Sequence, residues 1–162
     1  MTVHWIKALG IVALALVGMM SPQAAQAQQL CNVSVAPVAF GNYSTTASSP
    51  TDAVGAITVG CQATVSLFIS FSIALSSGSS GNAMARYMTS GADTLSYELY
   101  TSSARTQVWG DGGNGTGQIN SGYLLQALVT LAQNYPVYGR IFARQRSVPG
   151  SYTDSILITI TY

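Results

Sequence analysis

The sequence predicts an all-β fold built as an antiparallel sandwich, and three features carry that expectation. Apolar residues alternate with small ones over residues 65–75, where Val65, Leu67, Ile69, Phe71, Ile73 and Leu75 oppose Ser66, Ser70, Ser72 and Ala74. The same period of two returns near the C-terminus, with Ile156, Ile158, Ile160 and Tyr162 on one side and Ser155, Thr159 and Thr161 on the other. Elsewhere, short runs rich in β-branched and aromatic residues are divided by clusters of Gly, Ser and Pro. Side chains on a strand point alternately to opposite faces, so each such run buries one face and needs a second sheet to bury it against.

Taken in order, strands are expected near residues 31–35 and 53–61, then over residues 65–75, where Phe68 is the one large residue on the polar side. Ser76-Ser77-Gly78-Ser79-Ser80-Gly81-Asn82 reads as a loop. Residues 95–100 and 107–109 follow as shorter strands. Residues 123–132 place Leu124, Leu125, Leu128 and Leu131 at helical spacing, but the surrounding β pattern favours a strand there as well. Residues 137–143 form another, and Val148-Pro149-Gly150 turns the chain into the last strand, where Leu157 interrupts the alternation. About seven short strands in one domain indicate a sandwich.

The first 27 residues read as an export leader. Lys7 supplies the positive charge, Ala8 to Met20 is uncharged, and Ala25-Gln26-Ala27 has the small-x-small form that a signal peptidase cuts. As a helix the uncharged run would rise roughly 20 Å, short of the ~30 Å hydrocarbon core that a permanent span must cross. The expected division is a signal peptide over residues 1–27 and one mature domain over residues 28–162.

Composition narrows the chemistry. The 162 residues carry a net charge of +1, with 48% hydrophobic and 7% charged residues. That little charge argues against disorder, and the lack of a basic excess argues against a nucleic-acid partner. Lys7 and His4 are the only lysine and histidine, so the mature domain has neither. Arg86, Arg105, Arg140, Arg144 and Arg146 balance Asp52, Asp93, Glu98, Asp111 and Asp154 to a formal charge of zero. Such a domain lacks the commonest general base, the usual nitrogen metal ligand and the Schiff-base nucleophile. It is read as non-enzymatic, with no cofactor. Cys31 and Cys61, an even pair in an exported chain, are expected to form a disulfide. A thiol nucleophile would have no histidine beside it, and a metal pair no further ligands.

The remaining candidates have plain readings. Gly110-Asp111-Gly112-Gly113-Asn114-Gly115 matches G-x-G-x-x-G by letter, but Thr116-Gly117-Gln118-Ile119 opens no amphipathic helix, so it reads as a flexible loop. Asp111 and Asn114 alone make a weak calcium site. Asp93, Glu98, Asp111 and Asp154 are expected at solvated turns or strand edges rather than as a hydrolytic pair. Arg140, Arg144 and Arg146 would share one face of a strand as a polar, solubilising stripe. The nine tyrosines suit cross-strand packing, whereas a cluster of exposed apolar loop residues would indicate adhesion.

Several strings together resemble one family. Cys31-Asn32-Val33-Ser34-Val35, Val38-Ala39-Phe40-Gly41-Asn42-Tyr43, Gly60-Cys61, Arg86-Tyr87-Met88 and Leu95-Ser96-Tyr97-Glu98-Leu99-Tyr100 are the first of them. Val108-Trp109-Gly110-Asp111-Gly112, Val137-Tyr138-Gly139-Arg140-Ile141 and Gly150-Ser151-Tyr152-Thr153-Asp154-Ser155 onward complete the order. The mature chain is similar in this way to the spore coat protein U domain, a family that includes subunits of archaic, Csu-type chaperone-usher pili. The resemblance implies an incomplete immunoglobulin-like sandwich with an open groove for a donated strand. A periplasmic chaperone would fill the groove first, then another pilin subunit delivered at an outer-membrane usher. Ile156, Ile158, Ile160 and Tyr162 are the expected chaperone or donor-strand face, with the Tyr162 carboxylate as an anchor in the chaperone cleft. Only Gln28, Gln29 and Leu30 would precede Cys31, too few to serve as a donor strand. The expected role is therefore a terminal, tip-like or minor subunit at the cell surface, in a pilus or coat, that accepts a strand and donates none. The competing class is a self-contained secreted coat or carbohydrate-binding protein. Intact-mass measurement of the exported protein checks the leader: the expected mature species begins at Gln28, and a species retaining residues 1–27 would contradict it.

Overall fold

The computed structural model describes residues 29–162, so the expected signal peptide over residues 1–27 lies outside the described residues. Eight strands follow in order: β1 (Gln29–Ala36), β2 (Thr51–Ala63), β3 (Leu67–Leu75), β4 (Tyr87–Ser90), β5 (Asp93–Tyr100), β6 (Ile119–Leu125), β7 (Leu131–Ile141) and β8 (Ile158–Thr161). They form a five-stranded sheet in the order β1-β2-β7-β5-β4 and a three-stranded sheet in the order β6-β3-β8. Every pairing between strands is antiparallel. The architecture is the immunoglobulin-like sandwich with one side left open.

The two periodic runs behave as their patterns require. Ile69, Phe71, Ile73 and Leu75 of β3 are buried and pack with Ile57, Val59 and Cys61 of β2, Leu95, Tyr97 and Leu99 of β5, Leu125 of β6, and Val137 and Ile141 of β7. Both sheets thus contribute to one core. Trp109 is fully buried in it, and its indole N–H donates to Ile73 O at 2.9 Å. Cys31 and Cys61 are direct cross-strand partners in β1 and β2 and are disulfide-bonded, with Cα atoms 4.1 Å apart.

Other expectations are corrected. The strand at residues 107–109 is reduced to isolated bridges, Tyr100 to Val108 and Trp109 to Gly117, because the chain here wraps around the inserted Trp109 side chain. The run over residues 123–132 is neither one strand nor a helix. It is the end of β6, a turn, and the start of β7. Tertiary bonds hold the turn: Ala127 N–H donates to Ser66 Oγ and Leu128 N–H to Ala63 O. Leu128 takes φ 62° there, outside any helical or strand geometry. β4 had gone unread because Tyr87-Met88-Thr89-Ser90 is too short to show a period. The three-arginine stripe does not exist, since β7 ends at Ile141 and Arg144 sits in a turn at φ 58°. Arg140 alone is on the strand, bound at 2.7 and 2.8 Å to both carboxylate oxygens of Asp52, its partner across the ladder.

Asp93 and Asp111 are exposed as expected, but Glu98 departs from a solvated position. Glu98 is 2% exposed and lies 2.6 Å from the guanidinium of Arg86, itself 1% exposed. Strand alternation turns Glu98 away from Leu95, Tyr97 and Leu99, but Arg86 and the segments it bonds close over that side.

The disulfide closes a loop with a sequence separation of 30, for which loop-closure entropy gives about 3–4 kcal/mol. Replacing both cysteines by alanine is expected to lower the unfolding free energy by about that amount, read by denaturant titration. Thiol titration without reductant is expected to find no reactive thiol.

Candidate strand-accepting groove

The open side lies where β1 and β8, the edge strands of the two sheets, face each other. Cross-strand partners point to the same face, so Val33 and Val35, opposite Val59 and Ile57, belong on the core face of the sheet. Val59 and Ile57 are buried, yet Val33 and Val35 remain 45% and 52% exposed. The inner face of β1 therefore lacks the layer that should cover it. On the other wall, β8 pairs with β3 along one edge, and no described strand pairs with the other.

Between the walls is a cavity of about 300 Å³. Val35, Val38 and Phe40 line one side, Ile156 and Ile158 the other, and Ile57, Leu75, Met88, Leu99 and Val137 the base. Val38 and Phe40 reach their places because the chain after β1 crosses the inner face of the sheet at Gly55 and Gly139. A Cβ on Gly139 would stand 2.6 Å from Val38 Cγ1 and 2.7 Å from Phe40 Cζ, so the crossing requires glycine there. The Phe40 ring then meets Tyr97 edge-on, with centroids 6.0 Å apart. Tyr43 fastens the end of the crossing, donating its hydroxyl to Phe142 O at 3.0 Å and accepting Gln145 N–H at 2.8 Å.

Asp154 sets the position of the β8 wall. Just before it, Thr153 exchanges two main-chain bonds with Thr89 of β4, and within a few residues the chain passes to β3 in the other sheet. Asp154 Oδ1 accepts the N–H and hydroxyl of Ser79 and the N–H of Ser155, while Oδ2 accepts the Tyr97 hydroxyl at 2.7 Å. Gly78, at φ 63°, leaves the space this carboxylate fills. The carboxylate is thus bonded within the fold, and the lining of the groove is mainly apolar. The site offers an apolar slot beside an unpaired strand edge, suited to an added strand with alternate apolar side chains.

Four expected interface residues fall in two places. Ile156 and Ile158 line the cavity. Ile160 continues their face, partly buried against the core, and Tyr162 stands at the far end with its ring 5.8 Å from that of Phe71. The sequence reading missed Val35, Val38 and Phe40 as the opposite wall and Asp154 as its anchor. The alternation of Cys31, Val33 and Val35 was a usable signal, because it marks a core-facing strand as surely as that of β8.

The end of β3 opposite Leu75 carries a second feature. Phe68 and Leu124 are cross-strand neighbours on the outer face of β3 and β6, 68% and 61% exposed. Val65, Leu128 and Val129 are exposed on the two turns beside them, which are bonded to each other. This is an apolar loop cluster of the kind that marks an interaction surface. The Gly-rich loop holds Asp111 in a local turn, its Oδ1 accepting the Gly113 N–H at 2.9 Å, and that bond keeps the carboxyl below the usual carboxylate range. Asp52 is lowered likewise by its hydrogen bonds to Arg140. Burial pushes Glu98 up, against the opposing pull of Arg86 and the Leu99 N–H.

With this geometry in view, the comparisons with known proteins are informative. The profile of the Spore Coat Protein U domain matches residues 17–159. The chain belongs to the Spore Coat Protein U domain family. No curated protein matches it by sequence. Among solved structures, this family member is similar to a chain in the CsuC–CsuE chaperone–tip adhesion subunit pre-assembly complex from archaic chaperone-usher Csu pili of Acinetobacter baumannii. The TM-score is 0.53 at 22% identity over 83% of the present chain, a likeness of fold. The match spans 40% of the other chain's length.

Burial, with the Asp154 hydrogen bond adding to it, pushes the Tyr97 phenol well above its ordinary range. A pKa raised on folding stabilises below the unfolded value, about 10, and that stability is lost as pH rises beyond it. The unfolding free energy is expected to fall above about pH 10, and Tyr97→Phe to make the decline shallower by about one proton's worth of slope, measured by denaturant titration from pH 8 to 11.

Proposed function

We propose that the chain is an exported, non-enzymatic structural subunit of an archaic chaperone-usher pilus or a surface coat, assembled by donor-strand complementation. The observation that carries this reading is the apolar groove between β1 and β8, with core-facing Val33 and Val35 half exposed. Main-chain pairing with the free edge of β8 would supply affinity, and alternate side chains seated between Val35, Phe40, Ile156 and Ile158 would supply register. Family membership and the fold shared with a chaperone-bound pilus subunit support the same reading. Its partners would be a periplasmic chaperone, an outer-membrane usher and other pilin subunits, with Ile156, Ile158, Ile160 and Tyr162 as the strand-contacting face.

The subunit is proposed to be tip-like or minor. On the proposed cleavage after Ala27, Gln29 and Leu30 before Cys31 are committed to the fold, since they already pair with Ala63 and Gln62. They leave no strand to donate. The exposed cluster of Phe68, Leu124, Val65, Leu128 and Val129 supports an adhesive end remote from the cavity between Val35 and Ile158.

Co-expression tests the proposal. Exported alone, the chain is expected to be degraded or to aggregate, and with its chaperone to form a soluble one-to-one complex. Val35→Asp alters a half-exposed side chain that the core does not require, and is expected to weaken capture of a donor-strand peptide at least tenfold. A stable periplasmic monomer that ignores the chaperone would instead identify a self-contained coat protein. Long fibres grown from this subunit alone would overturn the tip-like role.

A further inference from the structure

A second cleft lies outside the groove and shares only Leu75 with its lining. It has a volume of about 760 Å³ and separates the segment after β3 from the Gly-rich loop that precedes β6. Pockets of this size commonly hold small ligands.

The two walls are joined by a buried charge. Arg86 donates to Ser76 O twice, at 3.1 and 2.7 Å, and to Ala83 O at 3.0 Å, all in one wall. It donates to Trp109 O at 2.8 Å, at the root of the other wall, and to Glu98 at 2.6 Å. All the guanidinium donors are therefore used, and Leu75 N–H adds a bond to Gly110 O at 3.0 Å. A buried ion pair adds little net stability, because desolvation offsets its attraction. What this one achieves is a fixed spacing between two loops.

Several of the groups facing the cleft are polar, and not all are committed within the fold. Asp111 uses Oδ1 for the Gly113 N–H and the Thr116 hydroxyl, and its exposed carboxylate keeps acceptor capacity toward the cleft. Asn114, held at φ 52°, presents an amide with no internal partner among the described residues. Ser77 adds a hydroxyl, and Met84, 48% exposed, an apolar patch. Asp111 is the one charged residue in the lining. One carboxylate repels anions and is too few to hold a cation. A carboxylate, an amide and a hydroxyl beside an apolar patch suit vicinal hydroxyls and the C–H face of a sugar. We infer that this cleft binds a neutral saccharide, with Asp111 and Asn114 as its hydroxyl-reading residues and Arg86 as the residue that positions both walls.

The test applies the full exported chain, kept folded by its chaperone or a donor peptide, to an array of neutral and anionic glycans in buffer containing EDTA. Retention on a subset of neutral glycans is expected. Asp111→Ala and Asn114→Gly are each expected to reduce it at least tenfold, and Asp93→Ala, at the β4–β5 turn, to leave it intact. Asn114 makes no side-chain bond among the described residues and glycine keeps its positive φ, so the Asn114→Gly variant, expected to leave the thermal midpoint unchanged, stays informative if Asp111→Ala loosens the loop. Retention of anionic glycans alone, loss of retention in EDTA, or equal retention by the Asn114→Gly variant would overturn the assignment. Failure of strand capture would show as loss of the folded chain, whereas failure of this assignment would show as a folded chain that retains no neutral glycan.

Discussion

Val33 and Val35 are fastened to a sheet but have no layer over them, and much of the structure follows from that. Main-chain pairing with β2 and the Cys31–Cys61 bridge hold β1 in place, so its inner face cannot collapse onto the core. On the facing edge, β8 pairs with β3 through only a few residues and relies on Asp154 to reach its position. The opening between them is therefore a maintained shape. Apolar surface left in water is a cost of roughly 25 cal/mol per Å², and an added strand would recover it.

The remaining polar interactions work to keep the walls apart and the ends closed. Val38 and Phe40 rest where Gly55 and Gly139 leave room, Tyr43 ties off the crossing, and Asp154 links Tyr97, the Ser79 turn and the entry to β8. Arg86 does comparable work on the loops above Glu98. In a domain with so few charges, three of the acids, Asp52, Glu98 and Asp154, are consumed by internal bonds. Their hydrogen bonds serve to fix position.

Much of this was legible beforehand. The all-β class, the long β3 and the apolar face of Ile156, Ile158 and Ile160 follow from alternation, because a strand exposes its period directly, and the Cys31–Cys61 disulfide follows from the even cysteine count. The errors have one origin. Residues 123–132 looked continuous because leucines occur throughout, but Ser66 and the Ala63 carbonyl, distant in sequence, bend the chain at Leu128. Glu98 looked like a solvated acid because nothing local announces that Arg86 will close over it.

The sequence by itself determined which faces are apolar, that residues 28–162 contain no histidine or lysine, and where the longest periodic strands run, since these depend on residue types and on neighbours one or two residues away. Only the tertiary structure decided that β1 and β8 stand apart, that Val35, Phe40 and Ile158 share one cavity, and that Asp154 and Arg86 are structural fasteners. Those facts depend on which strand ends beside which and on what covers a given face. Such relations arise between residues far apart in the chain, and no local pattern of residue types encodes them.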